Sequence, residues 1–368
     1  VHRLISRLRP EEGLLVIGFI ASAVMTVYAN VDLAQQGIDS RKIEGGLLRL
    51  AAVLALAALL PALERMLRRA RTAREPHSAR ELQVQSDSSR GIRLQPDSSV
   101  PSDPASDIQH HSNTPREIRL QPESLRRRES RWLTAVTFLR TMLPFVMCIA
   151  VYTNLHDTVR YVNPHDVHAQ IAAVEEWLFG GQPVIWAERY ITPARTEFFN
   201  LFYANFYLVA PSVVMLLWFR GQTAAARRVL LGVILCFYVG YVLYVVFPAA
   251  PPRLYFGSLG LFTVTLRGGP ITNFQEALIG LMPNHAARAA FPSLHSAVSC
   301  LSLYYAWKYC RWFFPILLTF VTGLLVSTVY LRHHWVVDLI AGGLLAPLII
   351  WLTPRYERAW VRLGGRAG

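Results

Sequence analysis

Charge is scarce in this chain, and negative charge is scarcer than positive. Only 17% of the 368 residues are charged, and 24 acidic side chains face 37 basic ones. Soluble domains carry about 25% charged residues, so the shortfall excludes an ordinary soluble globule. With 53% hydrophobic residues, gathered in runs long enough to cross a bilayer, it implies a membrane protein. Cysteine is also sparse. Cys148, Cys236, Cys300 and Cys310 lie within or at the edges of apolar segments without a CxxC pair. That pattern excludes a thiol-redox or zinc-ribbon motif and reads them as small buried hydrophobes. Aromatic residues are scarce between 69 and 131, a stretch rich in Ser, Pro, Arg, Gln and Asp. Such a stretch cannot bury enough surface to fold alone and is expected to be a disordered linker.

The net charge of +13 does not point to nucleic acid. The basic residues cluster at the ends of apolar runs and in the linker, which is a pattern of membrane orientation rather than of a groove-reading face. No nucleic-acid partner is expected.

Eight apolar spans of about 20 residues are expected, at roughly 13–30, 47–67, 132–153, 198–219, 228–248, 293–311, 313–332 and 334–353. The first resembles a signal peptide but lacks a clean small-residue cleavage site, so it is read as an uncleaved span. The division that follows is 1–68 as two N-terminal spans, 69–131 as a cytoplasmic linker, 132–353 as the main transmembrane domain and 354–368 as a basic tail. The linker repeats itself: Ile92-Arg93-Leu94-Gln95-Pro96-Asp97-Ser98 recurs as Ile118-Arg119-Leu120-Gln121-Pro122-Glu123-Ser124. Local duplication in a tether and a motif for a cytoplasmic partner are the two readings of it.

Basic clusters precede span one (Arg3, Arg7, Arg9) and follow span two (Arg65, Arg68, Arg69, Arg71). They recur before span three (Arg126, Arg127, Arg128, Arg131), between four and five (Arg220, Arg227, Arg228) and between six and seven (Lys308, Arg311). The last follows span eight (Arg355, Arg358, Arg362, Arg366). Simple alternation puts them all on one side, which the positive-inside rule makes cytoplasmic, with both termini there. The end of span five, the start of span six and the junction of spans seven and eight then meet at the extracytoplasmic face. The long segment 154–197 carries Ile171, Val174, Trp177 and Leu178 at helical spacing, and is expected to contain an interfacial helix.

Chemistry-bearing residues stand at those three convergent places. Pro251-Pro252-Arg253 ends span five; the prolines stop the helix and leave at the mouth an arginine, whose planar fork suits phosphate oxygens. Phe291-Pro292-Ser293-Leu294-His295-Ser296 opens span six, with Ser293 suited to cap a helix and His295 in its first turn. Tyr330-Leu331-Arg332-His333-His334-Trp335-Val336-Val337-Asp338 joins spans seven and eight. His334 and Asp338 are four apart and share a helix face, so the carboxylate can fix the imidazole's tautomer and raise its basicity. His165, His168, His333 and His334 lack ligand spacing, and no metal is expected.

These pieces resemble the type 2 phosphatidic acid phosphatase superfamily, and most closely its inositol phosphorylceramide synthase-like branch. The Pro-Ser-x-His-Ser element is matched at 292–296, the Ser-x6-His-x3-Asp element by Ser327, His334 and Asp338, and the Pro-Pro-Arg element at 251–253. The resemblance covers about 198–353. It implies an all-α polytopic bundle of about eight transmembrane helices with a six-helix phosphatase-like catalytic core. It further implies that His334 attacks phosphorus to form a phosphohistidine, that Asp338 orients it, and that His295 protonates the leaving oxygen and then activates the acceptor. Ser293 and Arg253 would hold phosphoryl oxygens, without metal or cofactor.

The phosphatase branch's Lys-x6-Arg-Pro element has no convincing equivalent, and Thr328 stands where phosphatases commonly place an arginine. Arg288 and Arg332 are substitute cations. Fewer cations suit a phosphodiester, with about one charge, better than a monoester, with up to two. The expected function is therefore transfer of a phosphorylated head group, inositol phosphate being the model, from a phospholipid donor to a lipid alcohol at the extracytoplasmic leaflet of the plasma membrane. The alternatives are a lipid or polyprenyl phosphate phosphatase, with water as acceptor, and a non-catalytic lipid-binding scaffold. Two further readings concern packing. Arg140, inside span three, snorkels, pairs within its helix or marks a later helix start. The series Phe198, Phe199, Phe202, Tyr203, Phe206 and Tyr207 is read as packing and lipid contact, with a lipid-entry groove as the lesser reading.

Overall fold

Low charge and long apolar runs resolve into helices. The computed structural model describes residues 8–35, 55, 59–69, 123–281 and 288–364, and among these it is all-α apart from one isolated bridge between Ala249 and Ala289. In chain order the helices are α1 (Pro10–Gln35), α2 (Glu123–Val162), α3 (His168–Phe179), α4 (Pro183–Trp186), α5 (Pro193–Ala204) and α6 (Phe206–Phe219). Then follow α7 (Thr223–Val246), α8 (Pro252–Ser258), α9 (Pro270–Leu281), α10 (Leu294–Tyr309), α11 (Phe314–Tyr330) and α12 (Val336–Arg362). Two compact units are distinguished, Leu56–Arg140 and the remainder, Val1–Ala55 with Thr141–Gly368.

Among the described residues, five segments are long and apolar enough to cross a membrane: Pro10–Val27, Trp132–Tyr152, Pro193–Phe219, Thr223–Val246 and Val336–Arg362. The protein is an integral, multi-pass helical membrane protein. Eight spans were expected, and the difference has identifiable sources. Most of span two lies outside the described residues. Span seven is α11, apolar but 17 residues long. Span six is α10, whose 16 residues rise about 24 Å against a hydrocarbon core of about 30 Å. It buries Ser296, Ser299 and Ser302 because its neighbours are helices rather than lipid: it packs against α6, α7, α11 and α12. A helix enclosed by protein needs less hydropathy than one facing acyl chains.

Helix ends follow local chemistry. Pro10 opens α1 with Glu11 and Glu12 in its first turn, where an anion is favoured. Glu11 pairs with Arg227 near the start of α7 at 2.9 Å. α7 is apolar all round and largely buried. Pro248, Pro251 and Pro252 prevent its continuation. The chain beyond it pairs with the 288–290 segment, Ala290 N–H donating to the Ala249 carbonyl at 3.0 Å. The repeat and most of the linker lie outside the described residues, although α2 already begins at Glu123. Likewise α12 continues through 354–362, part of the expected tail.

Within Leu56–Arg140, Arg140 pairs with Glu64 at 2.8 Å, and Glu64 also takes Arg68 at 2.6 Å. The arginine inside the third span is thus paired with a carboxylate from another helix.

The closest helix contact builds the site. Ser293 N–H donates to the Asp338 carbonyl at 3.0 Å, and Gly342, one turn along α12, faces the same backbone. A Cβ at 342 would stand 2.1 Å from the Ser293 carbonyl oxygen, which cannot move aside as a flexible side chain can. Overpacking of this kind costs about 1–3 kcal/mol. We expect Gly342→Ala to lower the melting temperature in detergent and to reduce turnover at least about tenfold by parting α10 from α12. Unchanged turnover would show that the approach is not required.

Candidate active site

α11 ends in a sharp reversal. Arg332 adopts a left-handed conformation (φ 65°), and the Thr328 carbonyl accepts N–H groups from both His333 (2.8 Å) and His334 (3.2 Å). This is a helix stop of the Schellman kind, and it delivers His334 immediately before α12. Trp335 caps α12; its N–H donates to Asp338 Oδ2 at 3.1 Å. The same oxygen faces His334 Nδ1 at 3.3 Å, and both side chains are buried. A carboxylate accepts only, so Nδ1 carries the proton and Nε2 presents its lone pair.

α10 arrives from the other side. Ser293 is its N-cap and accepts from Ser296 N–H at 3.3 Å, while Ser296 Oγ–H donates to the Leu339 carbonyl at 2.7 Å. With α10 tied to α12 at two points, His295 Nδ1 lies 3.0 Å from His334 Nε2. Given the tautomer of His334, His295 Nδ1–H is the donor. Asp338, His334 and His295 form one hydrogen-bonded line. Aromatic rings set the plane of His295: it stacks on Tyr203 at 5.2 Å between centroids and meets Phe206 at 4.1 Å. The other face of the arrangement is His333, stacked on Tyr203 at 4.4 Å.

The three candidate arginines are present around the junction, and each holds a carboxylate. Arg253 makes a two-pronged pair with Glu276, one arm at 2.9 Å, and is a third exposed. Its N–H donates to the Arg332 carbonyl at 2.9 Å. Arg288 pairs with Asp166 at 2.8 Å. Arg332 is buried; it pairs with Glu188 at 2.7 Å, donates to the Val264 carbonyl at 2.6 Å and lies 3.9 Å over the Phe262 ring. Ser327 does not reach the site, because its hydroxyl donates to the Leu324 carbonyl at 2.6 Å. Among the described residues no His, Cys, Asp and Glu group has metal-site geometry; His168 meets the Tyr255 ring at a tilt, 4.5 Å between centroids.

Sequence reasoning missed the carboxylates. Glu188, Glu276 and Glu175 come from segments distant in the chain and carry no motif. Glu175 had a signal: it is four residues after Ile171 and shares its face. On α3, Ile171 and Glu175 are buried while Val174, Trp177 and Leu178 are exposed, so the apolar residues at helical spacing face outward and the acid faces the protein. Tyr203 and Phe206 belonged to the aromatic series read as packing; their contacts with His295 and His333 make them part of the site.

With this geometry in view, the sequence profile described as the PAP2 superfamily matches residues 169–352, half of the chain and all three motif pieces. The chain belongs to the PAP2 superfamily. It is an enzyme of that superfamily. It is similar to a phosphoinositol dihydroceramide synthase of Bacteroides thetaiotaomicron, 28% identical over 240 residues that make up 60% of this chain and 78% of the relative. It is also similar to the inositol phosphorylceramide synthase of Candida albicans, 31% identical over 126 residues, 31% of this chain and 26% of the relative. A third relative is the inositol phosphorylceramide synthase catalytic subunit of Saccharomyces cerevisiae, 32% identical over 125 residues, 31% of each chain. The match thus spans less than a third of either fungal protein. No solved structure matches significantly.

The stacking on His295 generates a prediction. Aromatic pairs contribute about 0.5–1.5 kcal/mol beyond area burial. Tyr203→Leu should therefore slow phosphoryl transfer about 3- to 10-fold while substrate KM stays nearly constant. A change in KM alone would assign Tyr203 to lipid binding instead.

Proposed function

We propose that this PAP2-superfamily lipid phosphotransferase moves a phosphorylated head group from a phospholipid to the hydroxyl of a second lipid, with inositol phosphate and a ceramide as the working pair. The observation that carries the reading is the Asp338–His334–His295 line. Asp338 fixes the Nδ1–H tautomer of His334, so Nε2 is the nucleophilic atom. In the first step Nε2 bonds to phosphorus, the bond from phosphorus to the diacylglycerol oxygen breaks, and cationic His295 gives that oxygen a proton. In the second step neutral His295 takes the proton of the acceptor hydroxyl, whose oxygen attacks phosphorus as the P–N bond breaks and its electron pair returns to His334. Asp338 stabilises the positive ring of the intermediate. Ser293 and Arg253 hold the phosphoryl oxygens, with Arg288 and Arg332 as further cations.

The charge around the site favours a diester. Arg253, Arg288 and Arg332 are matched by Glu276, Asp166 and Glu188, so the surplus available to a phosphate is small. A dianionic monoester calls for more uncompensated cations than a diester with about one charge. The names of the three relatives supply the head group and acceptor.

The site is placed at the extracytoplasmic leaflet, with plasma membrane as the compartment. Arg227 and Arg228, at the start of α7, pair with Glu11 on α1 and Glu357 on α12, whereas the site lies past the other end of α7. The basic residues and the chemistry thus occupy opposite ends of one helix, and the positive-inside rule supplies the orientation.

The decisive experiment follows phosphorus-labelled phospholipid with purified protein, a lipid alcohol and a chelator. The label is expected on the second lipid. Release as water-soluble phosphate would overturn head-group transfer in favour of hydrolysis. An acid-labile phosphohistidine should accumulate with a slow donor and vanish in His334→Ala; labelling that survives this substitution would remove His334 from the mechanism. Asp338→Asn should reduce transfer roughly 10²–10⁴-fold with lipid binding retained, because it withdraws the charge and the tautomer control.

A further inference from the structure

Glu175 is a carboxylate that the mechanism above does not use. It projects from α3 and is fully buried, and its Oε1 accepts the Val337 N–H at 3.1 Å. Val337 is the second residue of α12 and immediately precedes Asp338, whose Oδ2 serves Trp335 N–H and His334. Two acids therefore share the first turn of α12. Each keeps one buried oxygen without a hydrogen bond, Glu175 Oε2 and Asp338 Oδ1, and no basic side chain among the described residues pairs with Glu175. An unpaired acid is rarely kept at such a place, where a Gln or Thr would satisfy the same N–H more cheaply.

We propose that Glu175 is a positioning residue for the nucleophile. It pins the first turn of α12 through Val337, so fixing Asp338 and His334, and its charge adds to that of Asp338 when His334 becomes cationic. The proposal rests on His334 being the nucleophile, but not on which lipids are used.

The charge is adjustable in the working range. Burial pushes the Glu175 carboxyl up to about 7, against the opposing pull of the Val337 and Val336 N–H groups, and the nearby Asp338 charge pushes it in the same direction as burial. The titratable groups on the packed elements are Asp338 on α12, His168 and Glu176 on α3 itself, Tyr255 on α8, and Asp166, just before α3, with its partner Arg288 from the segment before α10. Below neutrality Glu175 is uncharged and Asp338 acts alone. As pH rises through about 7 the second charge appears, the positive ring of phosphohistidine is better stabilised, and transfer accelerates.

Glu175→Gln keeps the acceptor for Val337 and holds the site in the uncharged state. The probe is bis(p-nitrophenyl) phosphate, whose first p-nitrophenolate reports attack by His334 regardless of the natural donor. The ratio of wild-type to Glu175→Gln rate cancels the ionisations of His295 and His334. It should be near one at about pH 5.5 and climb about fivefold by about pH 8.5. A ratio constant across that range would overturn the charge role. Glu175→Leu, which leaves the Val337 N–H without a partner, should be about tenfold slower than Glu175→Gln at every pH, with KM within about twofold; equal rates would overturn the pinning role. Infrared difference spectra of the wild type need no substrate and no stable variant. A protonated-carboxyl band should disappear through about pH 7, and its absence would overturn the proposal even if no lipid donor is turned over. If the band is present while phosphoinositide donors are inert, the assigned function fails and the role of Glu175 stands.

Discussion

The amide of Ser293 meets the carbonyl of Asp338 at 3.0 Å, and this backbone contact between α10 and α12 exists because position 342 has no side chain. Nothing larger than glycine could lie 2.1 Å, at its Cβ, from the Ser293 oxygen. His295 and His334 are 39 residues apart in the chain, and the distance between their rings depends on two short offsets: two residues from Ser293 to His295, and four from Asp338 back to His334. A 1 Å separation of the two helices would lengthen the imidazole contact out of hydrogen-bonding range. Catalytic geometry here is inherited from helix packing.

The electrostatics follow the inverse of a soluble protein's rule. Exposed side chains are largely apolar, while Glu11, Glu64, Glu175, Arg140, Arg332 and Asp338 are buried. In hydrocarbon an outward charge has no water to meet, so acids and bases turn inward and find each other. Arg227 with Glu11 and Arg140 with Glu64 are joined in acid–base pairs. Glu175 and Asp338 are less fully satisfied: each carboxylate retains an oxygen without a partner, and both bond to the chain at the start of α12, beside His334. Two incompletely satisfied carboxylates beside the proposed nucleophile fit buried charge that is kept for function rather than stability.

What could be read from the sequence was local. Ser293, His295, His334 and Asp338 stand at helix ends with spacings of two to four residues, and such spacings fix faces without knowledge of the fold. The structure brings all four to one place. Arg253 was legible for the same reason, since prolines mark the end of α7. Its partner Glu276 was not, being 23 residues away on α9 and held there by the packing of α9 on α5. The sixth expected span is the helix α10, which at 16 residues is short for a free-standing span; enclosed by α6, α7, α11 and α12, it is released from the need to face lipid. Tyr203 was hidden by its own abundance: among six aromatic residues in ten positions, only contact with His295 and His333 distinguishes it.

In the mechanism proposed above, the resting state guards its nucleophile. His334 Nε2 is engaged by His295 Nδ1–H, and Arg253 is engaged by Glu276, so both the proposed attacking atom and a proposed phosphate-binding cation are occupied before substrate arrives. Binding is therefore an exchange rather than a filling of empty space: a phosphate oxygen must replace a carboxylate on Arg253, and phosphorus must replace a proton donor at Nε2. The freed His295 then faces the leaving oxygen, so the event that exposes the nucleophile also aims the acid. Water is a poor agent for this exchange, because it offers no anion to compete with Glu276. A negatively charged lipid head group does, and the balance of matched charges favours one that brings a single charge over one that brings two.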